Sequence, residues 1–307
     1  MISVIMSTYR EPLKYVRESA ASILNQTYQD IEFIIIVDDP NHKELIVYLK
    51  DLENADSRVK VVVNEVNCGL PESLNKAIKL SSGEYIARMD ADDISEADRL
   101  EAELKFLQEN NLDLVGCNIR NVDEDGHIIN IRGTNYPVSD AAIKKYLKTN
   151  SAIPHPTWLV RRKVYIDSGM YQNFPAAQDY DFLTRIAIDN KKLGNLREPK
   201  FRYRINDSGI SSKKKVLQKT IQHYIKQNYK KGKKSSLDDF YKFLNSKEGE
   251  KKKYGLKKYY EQSAKLKTLW KKRRYIEFLM LGTITFFFSD EGRGVVLNVI
   301  KEKFLEN

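Results

Sequence analysis

Gly83-Glu84-Tyr85-Ile86-Ala87-Arg88-Met89-Asp90-Ala91-Asp92-Asp93 decides how this chain folds. Glu84–Met89 has strand length and a mostly apolar makeup, and it runs straight into three carboxylates within four residues. The same grammar recurs upstream. Ile2–Ser7 is a short apolar run, and Glu11-Pro12 opens a segment with Val16, Ala20, Ile23 and Leu24 on one helical face, Pro12 suiting its first turn. Ile31–Val37 is almost wholly apolar, as befits a strand covered on both faces, and it ends at the turn signal Asp38-Asp39-Pro40-Asn41. A polar helix over 43–55, a strand Val59–Val63 and a helix over 71–80 complete the series. This alternation predicts an α/β fold with a mostly parallel central sheet and helices on both faces. Ligands of such sheets bind beyond the carboxyl ends of the strands. Thr8-Tyr9, Asp38-Asp39, Asn64 to Gly69 and Asp90 to Asp93 all stand there.

Carboxylates crowded as Asp90, Asp92 and Asp93 are repel one another unless a cation offsets them. Oxygen ligands with room for water and phosphate suit Mg²⁺ or Mn²⁺. The spacing therefore implies a divalent ion bound together with a phosphorylated ligand. A plainer reading has Asp92 and Asp93 capping a helix that starts near Ser95, where Ser95-Glu96-Ala97-Asp98 has the form of a capping box. Asn67 and Gly69 would then serve only a backbone that needs positive φ.

A length of 307 residues suits one large domain or two smaller ones, and 41% hydrophobic residues supply a core, which argues against bulk disorder. Fourteen Gly and eight Pro exclude collagen-like or low-complexity architecture. Two cysteines, Cys68 and Cys117, make neither a disulfide framework nor a four-Cys metal site, and they fit a reducing, cytosolic compartment. The N-terminal run lacks a basic flank and a small-residue cleavage site, so it reads as a first strand and not as a signal peptide. The net charge of +10 is uneven: residues 213–274 carry 22 Lys and Arg against 5 Asp and Glu, whereas residues 1–212 carry 27 against 32. An acidic body over 1–212 and a basic, mainly helical region over 213–307 are expected to meet different partners.

Ser3-Val4-Ile5-Met6-Ser7-Thr8-Tyr9, Gln26-Thr27-Tyr28, Ile35-Ile36-Val37-Asp38-Asp39, Asn67-Cys68-Gly69-Leu70, Ser73-Leu74-Asn75-Lys76-Ala77-Ile78, the Gly83–Asp93 stretch and Gln178-Asp179-Tyr180-Asp181 resemble, in this order, the family 2 glycosyltransferases. The resemblance covers about residues 2–212. It implies a GT-A nucleotide-diphospho-sugar fold, a divalent metal cofactor (Mn²⁺ or Mg²⁺) and inversion at the anomeric carbon. It further implies that Thr8, Tyr9 and Glu11 line the nucleotide pocket and that Asp38 or Asp39 accepts a hydrogen bond from the base. Asp38 ranks first because Pro40 departs from the family pattern. Asn67 and Gly69 would let the backbone approach the nucleotide, with Asn75 and Arg88 near ribose or diphosphate. In Asp90-Ala91-Asp92-Asp93, Asp90 would contact ribose, Asp92 would ligate the metal, and Asp93 would stand behind it or face the sugar. Asp179 would be the catalytic base; Gln178 replaces the family's neighbouring acid and removes one like charge. Helix capping is the plainer role for Asp179.

His155, in Ile153-Pro154-His155-Pro156-Thr157-Trp158, is flanked by prolines that favour an extended backbone, and it is a candidate wall of the site. Tyr203 to Ser211 resembles a loop that closes over the nucleotide in this family; Asn206 stands where many members have His, and Arg204 would meet phosphate oxygens. The segments between look structural: an amphipathic helix over 95–109, a buried strand over 112–119, and a hairpin turn Asp123-Glu124-Asp125-Gly126 leading into His127–Ile131, with no chemistry for His127.

The basic region interleaves Lys runs with Tyr224, Tyr229, Tyr241, Tyr254, Tyr259, Tyr260 and Trp270, and an apolar run, Ile276 to Phe288, follows. Thirteen residues fall short of the roughly 20 that span a bilayer. The pattern suits attachment to an anionic membrane surface, and no nucleic-acid-binding motif accompanies it, so no nucleic acid is expected. The resemblance to the family implies transfer of a sugar from a nucleotide-diphosphate donor, expected to be UDP-linked, to a lipid-linked glycan acceptor, and the basic region places that transfer at the cytoplasmic face of the cell membrane as an expectation. Transfer of one sugar to polyprenyl phosphate is an alternative, as is a basic nucleic-acid-binding protein on a non-catalytic body.

Overall fold

A computed structural model describes residues 1–205 and 215–288. The chain forms two compact units, one of Met1–Ser212 with Ile225–Leu237 and one of Lys213–Tyr224 with Asp238–Asn307. Ile225–Leu237, which its charge assigns to the basic region, thus belongs to the first unit. Tyr229 Oη donates to the Lys144 carbonyl (3.2 Å), and Lys234 pairs with Asp189 at 2.6 Å.

The described residues of the first unit hold one eight-stranded sheet. Strands β1 (Ile2–Thr8), β2 (Ile31–Val37), β3 (Val59–Val63) and β4 (Tyr85–Asp90) lie parallel in the order β3-β2-β1-β4. Helices α1 (Leu13–Leu24), α2 (Lys43–Ala55) and α3 (Leu70–Leu80) connect them. Burial explains the apolar runs: β1 is buried at every position, and five consecutive β2 residues, Phe33 to Val37, are fully covered. Alternation of side chains along the strands gives each face its own cover. Ile2, Val4, Met6, Phe33 and Ile35 meet Val16, Ala20 and Ile23 of α1 and Leu45 and Leu49 of α2. Helix α3 packs on β1 and β2 with Leu74 and Ile78 buried.

Beyond β4 the sheet becomes mixed. β5 (Ile94–Ser95), β6 (Leu114–Val122), β7 (Leu159–Arg161) and β8 (Leu193–Arg204) complete it in the order β4-β7-β6-β8-β5. β7 runs antiparallel to β4 and β6, while β6 and β8 are parallel. Helices α4 (Arg99–Glu109), α5 (Asp140–Leu147), α6 (Arg162–Asp167) and α7 (Gln178–Ile188) lie between these strands in sequence.

Three local expectations change. Ser95 does not cap a helix: Ile94 and Ser95 pair with Arg202 and Phe201 of β8, and α4 begins only at Arg99. The unpaired edge of β8 captures this backbone, and Ser95 Oγ instead accepts from Arg99 Nε (2.7 Å) and Gln26 Nε2 (3.1 Å). Asp92 and Asp93 therefore cap no helix. His155 sits in a 3-10 turn, His155–Thr157, where an extended backbone was expected; Thr157 N donates back to the Pro154 carbonyl. Asp123–Gly126 does turn the chain, with Gly126 at φ +87°, but only one bridge, Val122 to Ile128, follows it.

After α8 (Lys215–Lys230) come α9 (Leu237–Leu244), α10 (Lys247–Lys271) and α11 (Tyr275–Phe288). Ser246 caps α10 by accepting from Gly249 N (3.2 Å), and a Cβ at Gly249 would stand 2.1 Å from the Phe243 carbonyl oxygen. In the second unit, α10 and α11 bury Leu266 against Phe278, with Trp270 and Leu281 packed beside them. Ile276, Leu279 and Met280 stay exposed on α11. Among the described residues, no helix is long and apolar enough to cross a membrane.

Candidate active site

The parallel strands finish in register, Thr8 opposite Val37, Val37 opposite Val63 and Ser7 opposite Asp90, so the polar residues that follow them share one edge. Thr8 Oγ1 (2.8 Å) and Tyr9 N (2.7 Å) both donate to Glu11, which folds the turn after β1 back on itself. Asp38 is buried after β2. Its carboxylate accepts from Asn64 Nδ2 (2.7 Å), Cys68 N (2.8 Å) and Gly69 N (2.8 Å), so it organises the loop into α3. Gly69 takes φ +83° at the start of that helix, a conformation that favours glycine. Asn67 is exposed and its Nδ2 reaches the Asp38 carbonyl (3.3 Å). Asp39 is half-buried: its Oδ1 accepts from Asn41 N (3.0 Å) and its Oδ2 from Arg10 Nε (3.3 Å), and the Arg10 guanidinium lies 4.7 Å from the Tyr9 ring centre.

Arg88, on β4, is fully buried. It donates to the Asp90 carboxylate and the Met89 carbonyl and so sits behind the acidic edge. Ala91 is buried, Asp90 and Asp92 are partly exposed, and Asp93 is buried with one oxygen on Arg204 N (2.8 Å) and the other without a partner among the described residues. Burial first, then the neighbouring Asp90 and Glu11 charges, push the Asp92 carboxyl up to about 7; burial and the Asp92 and Asp90 charges raise Asp93 as well. These are the marks of carboxylates short of a counter-charge, so the donor set fits a hard divalent cation. Among the described residues no three metal-type side chains converge as a ready-made site, so phosphate or water oxygens would have to complete the coordination.

Two expected ligand contacts are already spent within the protein. Asn75 is buried, and its amide brackets the Tyr171 main chain from both sides (2.9 and 3.0 Å), far from any free phosphate role. Arg204 is buried too. Its Nε holds the Asp92 carbonyl (2.8 Å), Nη1 the Asp123 and Glu124 carbonyls, and Nη2 the Glu18 carboxylate (2.6 Å), so it ties the acidic turn to neighbouring loops. Asn206 and the segment to Ser211 lie outside the described residues.

Asp179 occupies the first turn of α7, after Ala177 in the left-handed conformation (φ +58°). It is only partly covered. Burial raises its pKa; main-chain N–H groups at the helix start and the Arg88 charge pull it back, and Asp90 adds to the rise. Asp179 and the β4 carboxylates therefore share one electrostatic neighbourhood. Gln172, Asp181 and Arg185 anchor α7: Arg185 Nε meets Asp181 at 2.8 Å, and Gln172 bridges Asp181 to the Ser235 carbonyl (3.0 Å). His155 Nε2 lies 2.8 Å from Tyr171 Oη. Tyr171 and Glu18 carry no signal in the sequence that singles them out. Only Gly169-Met170, two consecutive residues at positive φ, marks the turn that delivers Tyr171.

Comparison with known proteins bears on the family and the fold. Residues 3–169 match the model of glycosyl transferase family 2. An uncharacterized glycosyltransferase of Methanocaldococcus jannaschii is 35% identical over 245 residues, 78% of this chain and 83% of that protein. The O-antigen biosynthesis glycosyltransferase WbnJ of Escherichia coli is 36% identical over 219 residues, 71% of this chain and 84% of WbnJ. In fold, S. aureus TarS in complex with UDP-GlcNAc superposes at a TM-score of 0.56 with 19% identity, over 97% of this chain and 78% of that one. The mannosyltransferase PcManGT of Pyrobaculum calidifontis, in complex with GDP-Man and Mn²⁺, superposes at 0.57 with 16% identity, over 74% and 63%. The architecture is that of the GT-A glycosyltransferases.

Proposed function

The chain belongs to glycosyltransferase family 2, and from that premise we propose that it transfers a sugar, with inversion, from a nucleotide-diphosphate donor to a hydroxyl of a lipid-linked glycan in surface-polysaccharide synthesis. The observation that carries this reading is the acidic sheet edge: Asp90 and Asp92 stand partly open at the end of β4, in register with β1, with Arg88 buried behind them on Asp90. The donor's nucleotide would lie along that edge, over Thr8, Tyr9, Glu11, Asn67 and Gly69. Asp39 is the better partner for the base, since the carboxylate of Asp38 is already turned inward onto its own loop. Asp90 would face ribose, with Arg88 fixing its orientation from behind. Asp92, with diphosphate oxygens, would hold Mn²⁺ or Mg²⁺, which when bound neutralises charge on the departing diphosphate.

Transfer forms a bond between the acceptor oxygen and the anomeric carbon as the bond from that carbon to the diphosphate oxygen breaks. Asp179 takes the acceptor proton in the same step, and its raised pKa strengthens it as a base. A UDP-linked donor is supported by TarS, whose complex contains UDP-GlcNAc, and a polysaccharide acceptor by WbnJ, which is named for O-antigen biosynthesis.

The second unit supplies the membrane partner in this reading. Helix α10 carries nine Lys against three Glu, and α11 exposes Ile276, Leu279 and Met280 at helical spacing. Each basic residue near an anionic bilayer contributes about 1 kcal/mol, and the apolar face adds partition into the interface. The enzyme would then work on the cytoplasmic face, beside its lipid-linked acceptor. Screening nucleotide sugars with mass-spectrometric detection of hydrolysis and transfer tests the proposal; a chain that turns over none of them, with Mn²⁺ and polyprenyl-linked acceptors present, is not this enzyme.

A further inference from the structure

Beside β4, where the Arg88 N–H donates to the Trp158 carbonyl (2.8 Å), runs a hydrogen-bonded file of three rings. His155 Nε2 lies 2.8 Å from Tyr171 Oη, and that hydroxyl lies 2.8 Å from Tyr165 Oη. Both tyrosines are buried, and packing fixes their planes: Tyr165 stacks on Phe182 at 4.7 Å, and His155 meets Trp158 edge-on at 4.7 Å. The Tyr171 main chain is clamped by Asn75.

Each phenol has one proton, which decides the direction of the file. If His155 donated from Nε2, the protons would run towards Tyr165, whose own O–H has no other partner among the described residues and would be left buried and unpaired. In the opposite sense Tyr165 donates to Tyr171 and Tyr171 donates to His155 Nε2, so every buried proton is used. The imidazole proton then resides on Nδ1. That nitrogen has no partner among the described residues and is not among the buried polar atoms left without one, and His155 is only partly covered. Burial and the Arg88 charge disfavour imidazolium.

We propose that His155 is a neutral hydrogen-bond donor of fixed tautomer, offering Nδ1–H to a sugar hydroxyl at the transfer site, with Tyr171 and Tyr165 as its positioning residues. This rests on the glycosyltransferase reading for its ligand, though not for its tautomer. A neutral N–H suits an uncharged hydroxyl, whereas a phosphate would call for a cation or main-chain amides. The donor's sugar and the acceptor's terminal sugar offer the same chemistry, and kinetics separates them.

Long-range ¹⁵N–¹H spectra of the full chain, which has four histidines, read the tautomer without any need for activity. The wild type should show His155 protonated on Nδ1 at pH 7 and still neutral below pH ~6.5. An Nε2–H tautomer or an imidazolium at pH 7 overturns the proposal even if transfer is found. Tyr171→Phe should mix the tautomers and raise the KM of one substrate about tenfold, with kcat changed less; the substrate affected identifies which sugar is held. Tyr165→Phe, one bond further away, should give the same signature in weaker form. Among replacements of the ring, His155→Asn, whose amide can donate from near the Nδ1 position, should keep KM within about threefold, whereas His155→Gln and His155→Ala should lose about tenfold. Unchanged KM values in Tyr171→Phe, or equal losses in all three His155 variants, would also refute it.

Discussion

Asn75 brackets Tyr171: its Nδ2 donates to the Tyr171 carbonyl at 2.9 Å, and its Oδ1 accepts from the Tyr171 N–H at 3.0 Å. Asn75 belongs to α3, whose first turn is organised by Asp38, and Tyr171 precedes the segment that delivers Asp179. One helix thus ties the Asp38 side of the edge, proposed to meet the nucleotide, to the side that carries the proposed base, and Asn173 adds a second tie to Glu72 of the same helix.

Breaking that clamp should separate binding from turnover. Asn75→Ala leaves a buried N–H and C=O unpaired and should cost about 2 to 3 kcal/mol of stability, read from denaturant unfolding. Nucleotide affinity, measured by calorimetry, should stay within about twofold while kcat falls. A loss of nucleotide binding with unchanged kcat would return Asn75 to the ligand.

Asp179→Asn should bind the donor as the wild type does and lose transfer by about 10² to 10⁴. Asp179 works deprotonated and its pKa is raised by burial. Activity of the wild type should therefore fall on acidification along a limb centred above the ordinary carboxylate value of about 4. Transfer that persists undiminished in the variant would remove Asp179 from the chemistry.

Asp92→Ala should abolish the metal-dependent part of nucleotide binding, compared by calorimetry with and without Mn²⁺. The carboxyl of Asp92 sits near 7 without a cation, so protons compete with the metal below that pH. Mn²⁺ affinity should rise from pH 6 to pH 8 with proton release, visible as a dependence of the heat on the buffer's ionisation enthalpy.

Leu279→Glu together with Met280→Glu places two charges on the exposed face of α11. Co-sedimentation with anionic vesicles should drop severalfold in the variant, weaken in high salt for the wild type, and be slight with neutral vesicles in both. Equal binding by variant and wild type would exclude this face as the attachment surface.

The parallel half of the fold was legible because strands buried on both faces must be apolar along their length, and Ile2–Thr8 and Phe33–Val37 advertise that without help from distant residues. The carboxyl-end rule likewise brought Thr8, Asp38 and Asp90 to one edge before any coordinate was known. The mixed half was less legible. Ser95-Glu96-Ala97-Asp98 carries a real local capping pattern, yet pairing with β8, more than a hundred residues away, overrides it. The buried pair of Arg99 and Glu103, 3.8 Å apart with Glu103 raised to about 8 by burial, looks in sequence like an exposed helical ion pair.

By itself the sequence determined which residue types stand at each strand end, and hence an acidic edge suited to phosphate and metal, because strand length, apolar burial and turn chemistry are local properties. Only the tertiary structure decided which of those side chains remain available. Asn75 and Arg204 are polar residues in the right places, but each is turned inward and held by groups contributed from remote segments, the Tyr171 main chain for one and the Asp92, Asp123, Glu124 and Glu18 oxygens for the other. A buried polar group must find partners wherever the fold supplies them, and no spacing along the chain reports where those partners will be.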